Sequence, residues 1–182
     1  MSVAIVATHR PPEEPLAADL GRAWGSAKDV AAGVDYLETR PDVERGRVGG
    51  LGLSVGGEQV LEAAASDTRL AAVVSEGPGY RSLRDGFARH GVSRVRVWLR
   101  IPQDAVQTAA VAALGGAAPP PGLPAVVARI APRPVFFIYG QSGNESERAL
   151  TPVYYDAAGQ PKERWEVPGA AHTQGLAAQP WE

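Results

Sequence analysis

The stretch Gly52-Leu53-Ser54-Val55-Gly56-Gly57 decides the fold, because it joins two different periodic patterns. Residues 47–53 before it form a short apolar run typical of a buried strand, and apolar residues recur at helical spacing after Val55. A Gly-x-Ser-x-Gly turn between a strand and a helix presents its serine at the end of a parallel sheet. Glycines flank such a serine because side chains there would collide with the strand and the helix. The pattern predicts a sharp strand–turn–helix with Ser54 at the turn.

Strands and helices alternate along most of the chain. The predicted strands are residues 3–8, 47–53, 70–76, 134–140 and 163–167, and the predicted helices begin at Ser26, Val55 and Arg148. This alternation predicts a single α/β domain over residues 1–182, with a mostly parallel sheet flanked by helices. Residues 81–131 break the alternation, and we expect them to form a small helical cap over the strand ends.

Composition and charge exclude several classes of function. The 18 basic and 20 acidic residues are well mixed, which argues against binding to nucleic acid or to an anionic membrane. The chain has no cysteine, so it has no disulfide, zinc–thiolate site or cysteine nucleophile. It shows neither a long apolar run nor a signal-peptide pattern at Met1–Arg10, so we expect a soluble, cytoplasmic protein. Paired histidines and carboxylate clusters at ligand spacing are lacking, and we predict neither a metal nor a cofactor.

The histidines identify a candidate base for Ser54. The chain has three, at His9, His90 and His172, and only His172 follows the last predicted strand. Functional sites in parallel sheets collect at the carboxyl ends of the strands. A serine hydroxyl is a weak nucleophile at neutral pH and needs a neighbouring base. The order serine, acid, histidine along the chain therefore predicts His172 as that base.

Several further stretches carry a family resemblance. They are Asp35-Tyr36-Leu37, Pro41-Asp42-Val43, Arg47-Val48-Gly49, Gly52-Leu53-Ser54-Val55-Gly56-Gly57-Glu58, Ile130-Ala131-Pro132-Arg133-Pro134 and Val167-Pro168-Gly169-Ala170-Ala171-His172. With them, residues 27–175 resemble the serine esterases of the dienelactone-hydrolase branch of the α/β-hydrolase superfamily. The resemblance implies cleavage of a small carboxylic ester through an acyl-enzyme on Ser54, with the amide of Val55 in the oxyanion hole.

The triad acid departs from the pattern of that family. The family commonly has an Asp in the loop after the strand that ends here at Gly140, and residues 141–147 contain no Asp. We predict Glu145 as the acid, with Glu147 as the second candidate and Glu76, after the preceding strand, as the third. An Asn144 that replaced the acid outright would impair the triad.

The two ends of the chain also depart from the family. The resemblance implies several strands before the nucleophile strand and a final helix, so we expect a fold reduced at both termini. An uncovered apolar sheet face would then favour a homo-oligomer formed through that face. Strand 3–8 is expected to lie directly beside the nucleophile strand. His9 would then lie near Ser54 and supply the second oxyanion amide.

Two alternative functions stay open. Peptidases of the prolyl-oligopeptidase type share the Gly-x-Ser-x-Gly-Gly form, although they usually have an Asp acid and a propeller domain. A non-catalytic hydrolase-like domain that serves binding or assembly is the alternative from a different class, because the Asp and the second oxyanion loop are missing.

Overall fold

The computed structural model describes residues 2–5, 27–81, 83–88, 93–116 and 118–178. Its strands are β1 (Ser2–Ile5), β2 (Val48–Leu53), β3 (Leu70–Glu76), β4 (Val135–Gly140) and β5 (Lys162–Val167). Its helices are α1 (Ala27–Glu38), α2 (Val55–Ser66), α3 (Leu83–Gly86), α4 (Arg94–Gly115), α5 (Leu123–Val127), α6 (Glu145–Ala157) and α7 (Gly175–Ala178).

The five strands form one parallel sheet in the order β1-β2-β3-β4-β5. The predicted α/β architecture is therefore confirmed. Strand β1 pairs with β2, with Ile5 opposite Leu51, so the N-terminal strand does lie beside the strand that leads to Ser54. Because the strands run in one direction, the residues that follow β2, β3, β4 and β5 meet at one edge of the sheet.

One face of the sheet is covered by helices α1, α2, α5 and α6. Their inward residues recur at helical spacing, which is why these segments fold as helices with one apolar face. The fully buried members of this core are Val30, Val34, Val60, Leu61, Leu123, Val126, Val127, Phe137, Leu150 and Tyr154. Helix α5 falls inside the range predicted as a cap, 81–131, and packs in this core through Leu123, Val126 and Val127.

The opposite face carries a smaller apolar cluster. Ile138, Val167 and Ala170 are buried there, next to the half-buried Phe136 and Trp165. Helix α7 packs on this face through Leu176, and a shallow depression of about 270 Å³ opens beside Phe136. Assembly through an uncovered sheet face, which the sequence led us to expect, stays a prediction.

Helices α3 and α4 lie within the range that the sequence predicts as a cap, and the cap itself stays a prediction. Helix α4 is capped at its start by Ser93, whose hydroxyl accepts a hydrogen bond from the Arg96 amide at 3.3 Å. It exposes large apolar side chains, including Trp98 and Leu99. Across the residues that the structure describes, none of the helices has the length and apolar character needed to cross a membrane.

Candidate active site

Ser54 occupies a strained turn between β2 and α2. Its φ of 53° and ψ of −121° lie where residues other than glycine are rarely found. The flanking glycines make the turn possible. A Cβ on Gly52 would collide with the carbonyl of Gly56, and one on Gly57 would lie 2.6 Å from the Ser75 hydroxyl. The glycine pattern of the sequence is therefore a steric requirement of this turn.

Backbone hydrogen bonds hold the turn in place. The Ser54 amide donates to the carbonyl of Glu76 at 2.8 Å, and the Ser54 carbonyl accepts from the amide of Gly57 at 2.9 Å. Helix α2 thus begins at Val55. The amide of a first helical residue has no acceptor within its own helix and lies at the positive end of the helix dipole. The position of Val55 fits the oxyanion role expected of it.

His172 lies against Ser54. It follows β5 in a turn, and its Nε2 is 2.9 Å from the Ser54 Oγ. The two side chains are 118 residues apart in the chain and meet because β2 and β5 end at the same edge of the sheet. The structure therefore brings together the serine and the histidine that the sequence singled out.

The carboxylate that contacts His172 belongs to Glu147. Its Oε2 lies against His172 Nδ1, and its side chain is fully buried. Glu145, the first choice for the acid, pairs instead with Arg100 at 3.0 Å, and its side chain is 47% exposed. Helix α6 begins at Glu145, and residues two apart on a helix point about 200° away from each other. Glu147 therefore faces the sheet edge while Glu145 faces solvent.

Comparisons with known proteins support the fold. No protein-family model matches the chain, and a search of curated proteins finds no match. Solved structures do match. Est1E from Butyrivibrio proteoclasticus aligns with 93% of this chain and 79% of its own, at 14% identity and a TM-score of 0.62. The α/β hydrolase GrgF from Penicillium sp. sh18 aligns over 87% and 67%, at 18% identity and a TM-score of 0.61. The chain has the α/β-hydrolase fold.

A third match is the dienelactone hydrolase of Anabaena variabilis, at 21% identity and a TM-score of 0.53, over 84% of this chain. The chain spans 53%, 67% and 79% of the lengths of the dienelactone hydrolase, GrgF and Est1E, respectively. The turn at Ser54 has the strand–turn–helix form of a nucleophile elbow, and the segments after β4 and β5 carry Glu147 and His172.

Asn144 is a site residue whose contacts the sequence did not reveal. It caps helix α6, with its Oδ1 accepting a hydrogen bond from the Glu147 amide at 2.9 Å. This bond orients the amide group so that Nδ2 lies 3.1 Å from His172 Nδ1. We assign the Nδ1 proton to the contact with Glu147, because the carboxylate oxygen accepts whereas Asn144 Nδ2 is itself a donor. His172 Nε2 is then free to accept the hydroxyl proton of Ser54.

Gly77 also belongs to the site. It follows β3 with a φ of 62°, and a Cβ there would lie 2.8 Å from Glu147 Oε2 and 3.0 Å from His172 Cε1. The His172–Glu147 pair therefore packs directly on backbone at this position. Among the described residues, no group of three or more His, Cys, Asp or Glu could hold a metal ion.

The remaining candidates have other positions. The third candidate acid, Glu76, does not contact His172, because its buried carboxylate accepts hydrogen bonds from the amides of Gly175 at 2.5 Å and Leu176 at 3.5 Å. His9 lies outside the described residues, so the source of the second oxyanion amide stays a prediction.

A buried charge cluster links the elbow helix to the cap. Glu58, in the first turn of α2, accepts from the Gly79 amide at 3.0 Å and lies 3.5 Å from Arg81. Arg81 also pairs with Glu62 at 2.6 Å. Burial raises the pKa of Glu58 to about 7, although the charge of Arg81 lowers it. A carboxyl group with this pKa changes its charge near neutral pH, directly behind the elbow.

Proposed function

We propose that this protein is a serine hydrolase that cleaves carboxylic esters through an acyl-enzyme on Ser54. The observation that carries the proposal is the continuous line of contacts from the Ser54 hydroxyl through His172 to the buried Glu147. A strained serine on a helix N-terminus, beside a histidine that a carboxylate orients, is the arrangement that activates a hydroxyl for acyl transfer.

The reaction follows from this geometry. As Ser54 Oγ attacks the ester carbonyl, its proton passes to His172 Nε2, and Glu147 stabilises the imidazolium that forms. The Val55 amide donates to the negative oxygen of the tetrahedral intermediate. One such donor contributes roughly 3 kcal/mol to stabilising the transition state. His172 then returns the proton to the departing alkoxide, leaving the acyl group on Ser54.

Hydrolysis of the acyl-enzyme repeats these steps with water. His172 takes a proton from the water as its oxygen attacks the acyl carbon, and then gives a proton back to Ser54 Oγ as the acid product leaves. The ester is the favoured substrate class because an esterase of Pyrococcus furiosus and a dienelactone hydrolase share this fold. The motifs around Ser54 and His172 favour the same class.

Hydrolysis of a p-nitrophenyl ester series tests the proposal. We expect the wild-type protein to release p-nitrophenol, with a rate that depends on acyl-chain length, and the Ser54→Ala variant to be inactive. Release of p-nitroaniline from peptide anilides but not of p-nitrophenol from esters would favour a peptidase. Folded wild-type protein that is inactive on both substrate classes would support a non-catalytic hydrolase-like domain.

A further inference from the structure

Glu76 holds two different parts of the site, one through its backbone and one through its side chain. Its carbonyl accepts from the Ser54 amide at 2.8 Å, at the strained turn. Its carboxylate accepts from the amides of Gly175 and Leu176, which follow His172 by three and four residues. The residue is 1% exposed, so these bonds are shielded from water.

The segment that carries His172 is anchored on both sides. Before His172, the carbonyl of Ala170 accepts from the Ser142 amide at 2.9 Å. After it, the Glu76 carboxylate accepts hydrogen bonds from the amides of Gly175 and Leu176, the first two residues of α7. Between these anchors Thr173 has a φ of 57°, which a residue with a branched side chain rarely adopts. A strained segment keeps such a conformation only where its surroundings impose it.

The packing around Gly175 leaves no room for a side chain at this position. A Cβ on Gly175 would lie 3.0 Å from Glu76 Oε1, 2.9 Å from Ile138 Cγ2 and 3.0 Å from Val167 Cγ2. The absence of a side chain on Gly175 thus allows its amide to approach the carboxylate to 2.5 Å. The hydrogen bond between Gly175 and the buried Glu76 carboxylate therefore requires a glycine at position 175.

We propose that Glu76 is a positioning residue for the reaction, holding His172 at hydrogen-bonding distance from Ser54. This inference rests on the proposed function. The carboxylate acts through the backbone of residues 173–176 and does not touch substrate. A displacement of about 1 Å in a reacting group lowers the rate by up to about 100-fold, so loss of this anchor acts mainly on kcat.

The test compares Glu76→Gln with a matched control, Asp85→Asn. Asp85 is also a buried carboxylate that accepts two backbone amides, from Leu123 at 2.8 Å and from Arg81 at 3.2 Å, but it lies in the cap. A glutamine at position 76 keeps one acceptor oxygen and places an NH₂ group where the second was. We expect Glu76→Gln to lower kcat by about 10-fold or more with KM within about twofold, and Asp85→Asn to leave kcat unchanged.

A second variant and a second measurement keep the inference testable if Glu76→Gln is unstable. In Gly175→Ala the added methyl group would lie 3.0 Å from Glu76 Oε1, so this variant is expected to lower kcat in the same way. Hydrogen exchange of the peptide covering residues 168–178 is expected to accelerate in both variants and not in Asp85→Asn. This readout does not depend on catalysis.

The outcomes separate the two proposals. If the wild-type protein does not hydrolyse esters, the proposed function has failed, whatever the variants do. If the wild-type protein is active and Glu76→Gln has an unchanged kcat and unchanged exchange at residues 168–178, the positioning role of Glu76 is refuted while the function stands. An equal loss of kcat in Glu76→Gln and Asp85→Asn would also refute it, because general destabilisation would then explain the loss.

Discussion

Replacing Glu58 with glutamine is expected to remove a pH-dependent destabilisation of the folded protein. Glu58 is 7% exposed, and burial raises its pKa from 4.5 to about 7 even though Arg81 lies 3.5 Å away. A carboxyl whose pKa is raised by folding binds its proton more tightly in the folded state. Its favourable contribution is therefore complete below pH 4.5 and is lost as the pH rises to about 7.

The size of the effect follows from the shift. One pKa unit corresponds to about 1.4 kcal/mol, so a shift from 4.5 to about 7 changes the free energy of unfolding by about 3 kcal/mol. The glutamine side chain cannot ionise, and its amide oxygen can still accept the hydrogen bond from the Gly79 amide. The difference in unfolding free energy between the Glu58→Gln variant and the wild-type protein should therefore rise by about 3 kcal/mol between about pH 4.5 and about pH 8.

Urea unfolding followed by circular dichroism at several pH values measures this difference. The slope of the unfolding free energy against urea concentration should be the same in both proteins. The difference between them then reflects stability and not a change in the unfolded state. Glu145→Gln is the matched control, because it makes the same chemical change at an exposed carboxylate. A difference between Glu58→Gln and wild type that does not change with pH would refute the reasoning.

The site and the sheet lead to three further predictions. Glu147→Gln should lower kcat by roughly 1,000-fold or more, because His172 loses the charge that stabilises its imidazolium, whereas Glu145→Gln should leave kcat within about twofold in the same ester assay. The double variant Glu147→Gln/Asn144→Asp should have a kcat at least about 10-fold higher than Glu147→Gln alone, since the new carboxylate would lie 3.1 Å from His172 Nδ1. An equal kcat in the two variants would argue against that placement. Size-exclusion chromatography with light scattering should show a homo-oligomer that Trp165→Glu dissociates, and a stable wild-type monomer would contradict assembly through the sheet face.

Local patterns were sufficient to predict that the side chains of Ser54 and His172 would lie together. The glycines around Ser54 answer steric demands of a single turn, and His172 is the one histidine in the sequence after the last strand. Parallel pairing then brings the two strand ends together, so no knowledge of side-chain packing was needed.

The acid could not be predicted in the same way, because it depends on where helix α6 begins. We expected the helix from Arg148, whereas Asn144 caps it and the helical phase starts at Glu145. With Asn144 as the N-cap, Glu147 is the third helical residue, and its amide bonds to the cap. An Asn three residues before a Glu was the signal that would have favoured Glu147.

The limits of the cap depended on contacts that are distant in sequence. The prolines at 119–121 were interpreted as a spacer inside the cap, but Leu123 shortly after them is fully buried against the core. Its amide is held by Asp85, which lies 38 residues earlier. A hydrogen bond between residues this far apart does not show in the hydrophobic periodicity of the sequence.

Labelling with a fluorophosphonate probe tests the central claim most directly, because the probe reacts much faster with an activated serine than with an ordinary hydroxyl group. Intact mass and peptide mapping should show a single adduct on Ser54 in wild-type protein, none in folded Ser54→Ala, and much slower labelling in Glu147→Gln. Folded wild-type protein that takes up no probe, or an adduct on any residue other than Ser54, would contradict the assignment of Ser54 as the nucleophile.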